Sequence, residues 1–133
     1  MNYYNEIKNE LINNEINRTI KNYSINRSDL NSYYNVGKML SEAGKHYGEG
    51  IIKEYSKRLT LELGKGYSTR SLKYMRKYYL YQKGQPIAAQ LTWSHIIELL
   101  SLKDDYQMNY YINQCIELKL SRNELRERIK NIK

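Results

Sequence analysis

Five residues near the middle of the chain have types and spacing that suit a definite chemistry. Arg70, Lys73, Tyr74, Lys77 and Tyr81 recur at i, i+3, i+4, i+7 and i+11, so on a helix turning about 100° per residue they share one face. Leu72, Met75 and Tyr79 fall on the other. Cations interleaved with aromatic rings suit a nucleic acid: lysines neutralise phosphates, Arg70 in the first turn reaches a guanine edge, and Tyr74 packs on sugar or base. Ser68 with the free amides of Thr69 and Arg70 adds a phosphate-sized site at the helix start, and Lys65 stands in the turn before it. A competing use of Arg70 and Arg76 is an internal bond to Glu54 or Glu62.

Other patterns carry less. Asp104 or Asp105 followed by Glu117-Leu118-Lys119 imitates a metal-dependent nuclease motif. That motif needs its carboxylates and lysine on adjacent strands around a divalent metal, whereas this stretch has helical periodicity. His46 and His95 are far apart, with no Cys or acid at metal-ligand spacing and no Ser/His/Asp arrangement. The glycines match no nucleotide-binding loop. No catalytic residue, metal or cofactor is expected, and the chain reads as a binding module rather than an enzyme.

Charge distribution singles out the same segment. The 133 residues carry a net charge of +8 and a pI near 9.4. Residues 53–84 hold nine basic residues against Glu54 and Glu62, a net of +7, which leaves the remainder near neutrality. A basic block on a balanced chain is the electrostatic footprint of a polyanion-binding surface, while a merely solvated Lys-rich helix is the plainer reading. There are 15 tyrosines and no phenylalanine. A phenol needs a partner for its hydroxyl, so some of these rings belong at the surface. Neither a signal peptide nor an apolar run long enough for a bilayer is present, which suggests a cytoplasmic protein without membrane contact. The lone Cys115 reads as a small buried hydrophobe.

These residues must be positioned by helices, because no alternating strand pattern of useful length occurs; the fold class expected is all-α, a single domain of about seven helices with one core. The first covers about 3–23 and has two apolar stripes: Tyr4, Ile7 and Leu11, and nearly opposite them Ile12, Ile16, Ile20 and Tyr23. Either it bends at Asn13-Asn14 or both sides are covered, the second by another copy of the chain. This N-terminal arm of 1–24 precedes a second helix capped by Ser28, running through Leu30, Tyr33, Tyr34, Gly37 and Leu40 and stopping near Gly44. Helices over about 50–63 and 69–83, joined by Gly64-Lys65-Gly66 with Ser68 as cap, make a helix-turn-helix-like unit across 50–83. Gly84-Gln85-Pro86 ends the fourth. A fifth, capped by Thr92, has Trp93 as core anchor. A sixth opens at Asp104 or Asp105 with Met108, Tyr111, Ile112, Cys115, Ile116 and Leu118. The box Ser121-Arg122-Asn123-Glu124 starts a seventh through Leu125, Ile129 and Ile132.

Three ordered motifs make the sequence recognisable. Gly64-Lys65-Gly66-Tyr67-Ser68-Thr69-Arg70-Ser71-Leu72 with Met75-Arg76, then Ala89-Gln90-Leu91-Thr92-Trp93-Ser94-His95 with Glu98-Leu99-Leu100, then Ser121-Arg122-Asn123-Glu124-Leu125, together resemble the N-terminal domain of YhcG-type (DUF1016) proteins over about 25–132. The resemblance implies a helical DNA-binding module. In that family a PD-(D/E)XK-like nuclease domain follows, and this sequence contains none. Two functions are therefore expected as alternatives. One is a module binding nucleic acid, duplex DNA in particular, through Lys65, Ser68, Thr69, Arg70, Lys73, Tyr74, Lys77 and Tyr81. The other is a phage or mobile-element inhibitor, anti-CRISPR or anti-restriction, that binds a host nuclease complex. Self-association through Ile12, Ile16 and Ile20 into a homodimer accompanies the first.

Overall fold

The computed structural model describes residues 2–19, 25–84 and 91–131, and every regular element among them is an α-helix. In order these are α1 (Tyr3–Thr19), α2 (Ile25–Tyr47), α3 (Gly50–Leu63), α4 (Thr69–Gly84), α5 (Trp93–Leu100), α6 (Asp105–Leu118) and α7 (Arg122–Lys130). The fold is all-α. It divides into two compact units, Met1–Gly84 and Gln85–Lys133, each with its own buried residues.

In the first unit α2 is the central element, packing on α4 and α1 and to a lesser extent on α3. Its buried stripe is Leu30, Val36, Gly37, Leu40 and Ala43. The small residues are the key to the packing: a Cβ placed on Gly37 would lie 2.1 Å from the carbonyl oxygen of Met75 and 2.9 Å from Cβ of Tyr79. The backbone of α4 therefore rests directly on α2 at this crossing, an approach open only to glycine. Two boundaries differ from expectation. Helix α2 starts at Ile25, so Ser28 lies inside it and is not its cap, and it runs past Gly44 to Tyr47, because Gly44 stays helical where packing outweighs its weak propensity.

Helix α1 is unbroken through Asn13-Asn14. Its buried stripe, Tyr3, Tyr4, Ile7 and Leu11, does not end at the last apolar residue but continues to Asn14, which is 2% exposed. Asn14 donates to Asp29 Oδ1 at 3.0 Å, and Arg18, one turn further, binds both oxygens of Asp29 at 2.9 and 2.8 Å. A polar stripe thus docks α1 on α2 where an apolar one stops. On the opposing stripe Ile12 is half-buried and Ile16 is 53% exposed; Ile20 and Tyr23 lie outside the described residues.

In the second unit the three helices begin as the caps predict. Thr92 and His95 form a reciprocal capping box on α5, Asp104 accepts from the Tyr106 amide to start α6, and Ser121 and Glu124 form the box on α7. The buried set is Leu91, Ile96, Leu99, Leu100, Met108, Tyr111, Ile112, Cys115, Leu120 and Leu125. Trp93 is only half-buried, and Ile116 and Leu118 are exposed, so these three are not the core residues their helical spacing suggests.

Candidate nucleic-acid interface

Helix α4 has the two faces anticipated. Leu72, Met75 and Tyr78 are buried, and half-buried Tyr79 sets its ring edge-on to Tyr34 at 5.1 Å. Arg70, Lys73 and Lys77 are exposed, with Tyr74 half-buried between them and Tyr81 half-buried one turn beyond Lys77. Periodicity singled out Tyr79 for the packed side and missed Tyr78, which is the more deeply held.

The start of α4 is built by its turn. Gly64 and Gly66 take φ of +102° and +109°, a region that L side chains rarely adopt. Ser56, buried on α3, donates to the carbonyl oxygen of Tyr67 at 2.7 Å, which ties the turn back to the helix before it. This anchor had no sequence signal beyond a serine on the inner side of α3. The connection of five residues, 64–68, then ends at Ser68, whose Oγ accepts from the Ser71 amide at 3.1 Å. Among the described residues the amides of Thr69 and Arg70 have no acceptor, so the first turn presents two N–H groups and the positive end of the helix dipole.

Which cations stay available depends on the neighbouring acids. Arg76 is neutralised internally, but by Glu49, whose two oxygens it meets at 2.8 Å each, and not by Glu54 or Glu62. Glu49 stands in the turn before α3, close to α4 only in the folded chain. Glu62 is engaged by Lys8 and accepts from the Tyr4 hydroxyl at 2.8 Å. Those hydrogen bonds, Lys8 first, hold its carboxyl below the usual glutamate range, while burial and then the bond to Glu62 push the Tyr4 phenol up to about 12. Arg58 lies 3.6 Å over the Tyr4 ring. Arg70 has a phenol as its neighbour: its guanidinium sits 5.5 Å over the Tyr74 ring, with Nη2 donating to the hydroxyl at 3.3 Å. No described carboxylate pairs with Arg70 or Lys73.

A groove of about 610 Å³ follows this face, with Thr69, Arg70, Lys73, Tyr74 and Lys77 among its lining. Leu80, 51% exposed, belongs to it as well. It stands at i+7 from Lys73 and i+3 from Lys77, a spacing legible in the sequence, although as an apolar residue it gave no signal for a basic face. Of the remaining candidates, Lys65 is exposed in the turn and lines a different groove with Ile12 and Ile16.

A comparison with protein families matches the DUF1016 N-terminal domain to residues 6–132, nearly the whole chain. The chain belongs to this family. No curated protein and no solved structure matches it. The three motifs that carried the resemblance have distinct places in this DUF1016 N-terminal domain. The first forms the turn before α4 and its first two turns, with Arg70 outside and Leu72 and Met75 inside. The other two interlock within the second unit. His95 Nε2 is 2.7 Å from the carbonyl oxygen of Leu120, which can only accept, so Nε2 carries the proton and Nδ1, 2.7 Å from Thr92 Oγ1, accepts. Glu98 is met by Arg122 at 3.2 Å and Arg126 at 2.7 Å.

The nuclease-like residues are not gathered into a site. Asp104 caps the start of α6, whereas Glu117 and Lys119 stand at its far end, about 20 Å away at 1.5 Å per residue. One ion cannot bind both carboxylates. His46 is exposed, stacked near Tyr3 and Tyr47. Cys115 is buried, which pushes its thiol up, in keeping with a packing role. Among the described residues no helix is long and apolar enough to cross a membrane.

Proposed function

We propose that this chain is a non-catalytic module that binds nucleic acid, double-stranded DNA in particular, through the outer face of α4. The observation that supports the reading is the pairing pattern around that face. Its neighbours Glu49 and Glu62 are bonded to Arg76, Lys8 and Tyr4, so Arg70 and Lys73 flank Tyr74 without an offsetting carboxylate among the described residues, and Lys77 is exposed one turn further on. In this reading Lys73 and Lys77 meet phosphates, and Ser68, Thr69 and the first-turn amides hold one more. Arg70 reads a base edge in the major groove, and Tyr74 and Tyr81 pack on sugars. Helix α3 serves as the first helix of a helix-turn-helix and crosses the backbone.

The test is fluorescence anisotropy of a labelled duplex across a salt series. The logarithm of affinity should fall linearly with that of salt at about −0.9 per phosphate contact, so three contacts give a slope of about −2.7. Reversal of Arg70, Lys73 and Lys77 to Glu should abolish binding while the circular dichroism of the helices is kept. A wild-type chain that ignores duplex DNA at low salt would refute the reading and turn attention to a nuclease complex as the partner of the same basic face.

A further inference from the structure

We propose that the groove between the second half of α1 and the turn leading into α4 is the contact surface of a two-fold dimer of this chain. The groove has a volume of about 560 Å³ and is lined by Ile12, Glu15, Ile16, Leu63, Lys65 and Tyr67. Ile16 is 53% exposed and Ile12, Leu63 and Tyr67 are half-buried, so four of the six lining residues are apolar or aromatic while the chain as a whole is strongly polar. An isolated apolar residue on a surface needs no explanation, but four that line one depression mark a contact site.

Charge identifies the occupant. Two copies with a net charge of +8 each repel, and the basic face of α4 cannot meet its own image. In this groove a carboxylate and an ammonium stand together: Glu15 on α1 and Lys65 in the turn, both exposed and neither in an ion pair with a described residue. Arg18, the next cation along α1, is neutralised by Asp29. A two-fold interface must be self-complementary, since each residue i that meets j on the partner is matched by j meeting i. This surface meets that requirement twice. It carries apolar residues from two elements, Ile12 and Ile16 on α1 and Leu63 and Tyr67 at the end of α3 and in the turn, and it carries both signs of charge. Rotation about a two-fold axis sets Ile12 and Ile16 of each copy against Leu63 and Tyr67 of the other and each Glu15 against the other copy's Lys65. The turn that carries Lys65 also holds the start of α4, so pairing would couple two basic helices in one particle.

Sedimentation velocity of the full chain, without nucleic acid and over a concentration series, tests this. The wild type should show a reversible monomer–dimer equilibrium, and Ile16→Glu should be monomeric. Glu15→Lys and Lys65→Glu each convert two attractive pairs into repulsive ones and should weaken the dimer at least about tenfold. The double variant Glu15→Lys with Lys65→Glu restores both pairs with signs exchanged and should regain the wild-type constant. Circular dichroism checks that each variant is folded. A wild type that stays monomeric throughout overturns the proposal, as does a double variant no tighter than the singles, since the two charges would then not meet.

Discussion

Replacing Gly37 by alanine is the sharpest test of how α4 is held. In an open helix this change stabilises by about 1 kcal/mol, because glycine loses more backbone entropy on folding. Here the added Cβ would stand 2.1 Å from the Met75 carbonyl oxygen and 2.8 Å from its carbon. A carbon–oxygen contact needs about 3.3 Å, so α2 and α4 must separate by about 1.2 Å at the crossing. Neither obstacle is the tip of a flexible side chain, and the backbone of α4 cannot turn aside. A gap of that size forfeits roughly half of the dispersion energy between facing atoms. The atoms that lose it belong to Val36, Leu40, Leu72 and Met75, all 2% exposed or less. Set against the helix-propensity gain, the net destabilisation should be about 2–4 kcal/mol. Gly44→Ala is the control on the same helix: its Cβ would meet only Arg76 Nη1 at 3.7 Å and Glu49 Oε1 at 3.9 Å, ordinary contacts, so it should be neutral or stabilising by up to about 1 kcal/mol. Urea unfolding followed by circular dichroism gives both numbers as shifts of the midpoint at constant slope. If Gly37→Ala is as stable as Gly44→Ala, the direct seating of α4 on α2 is wrong.

Two further outcomes accompany the tests of DNA binding and dimerisation. With Mg²⁺ or Mn²⁺ the purified chain should leave plasmid and oligonucleotide DNA uncut, because Asp104 and Glu117 stand at opposite ends of α6; cleavage that is lost in Glu117→Gln would reveal a site at the end of that helix. The phenols of Tyr4, Tyr33 and Tyr78 are pushed up to about 12, chiefly by burial. Since the unfolded chain releases these protons near pH 10, their contribution to stability is intact below that value and is lost as pH rises toward 12. Ultraviolet titration with parallel circular dichroism should show a late group of phenolates appearing together with unfolding. A single transition of every tyrosine near pH 10 with the helices intact would contradict it.

Much of this protein was determined locally, and local features were readable. The all-α class follows from apolar spacing, and the starts of α4, α5, α6 and α7 follow from Ser68, Thr92, Asp104 and Ser121, because a cap is a bond within a few residues. The basic face of α4 was legible for the same reason, being a matter of helical phase. Ser28 is not a cap because the helix already runs from Ile25, and a residue type that favours caps is also tolerated inside a helix. Which way α1 would run, bent or straight, was open in the sequence because its docking stripe continues in Asn14 and Arg18, polar residues whose partner, Asp29, is on another helix. Pairing of charges was equally illegible. That Arg76 is cancelled by Glu49 and Glu62 by Lys8, leaving Arg70 and Lys73 without a carboxylate among the described residues, depends on which side chains the fold brings within reach. Gly37 shows the division most plainly: the sequence places it on the inner stripe of α2, and only the crossing with α4 decides that nothing larger than hydrogen fits there.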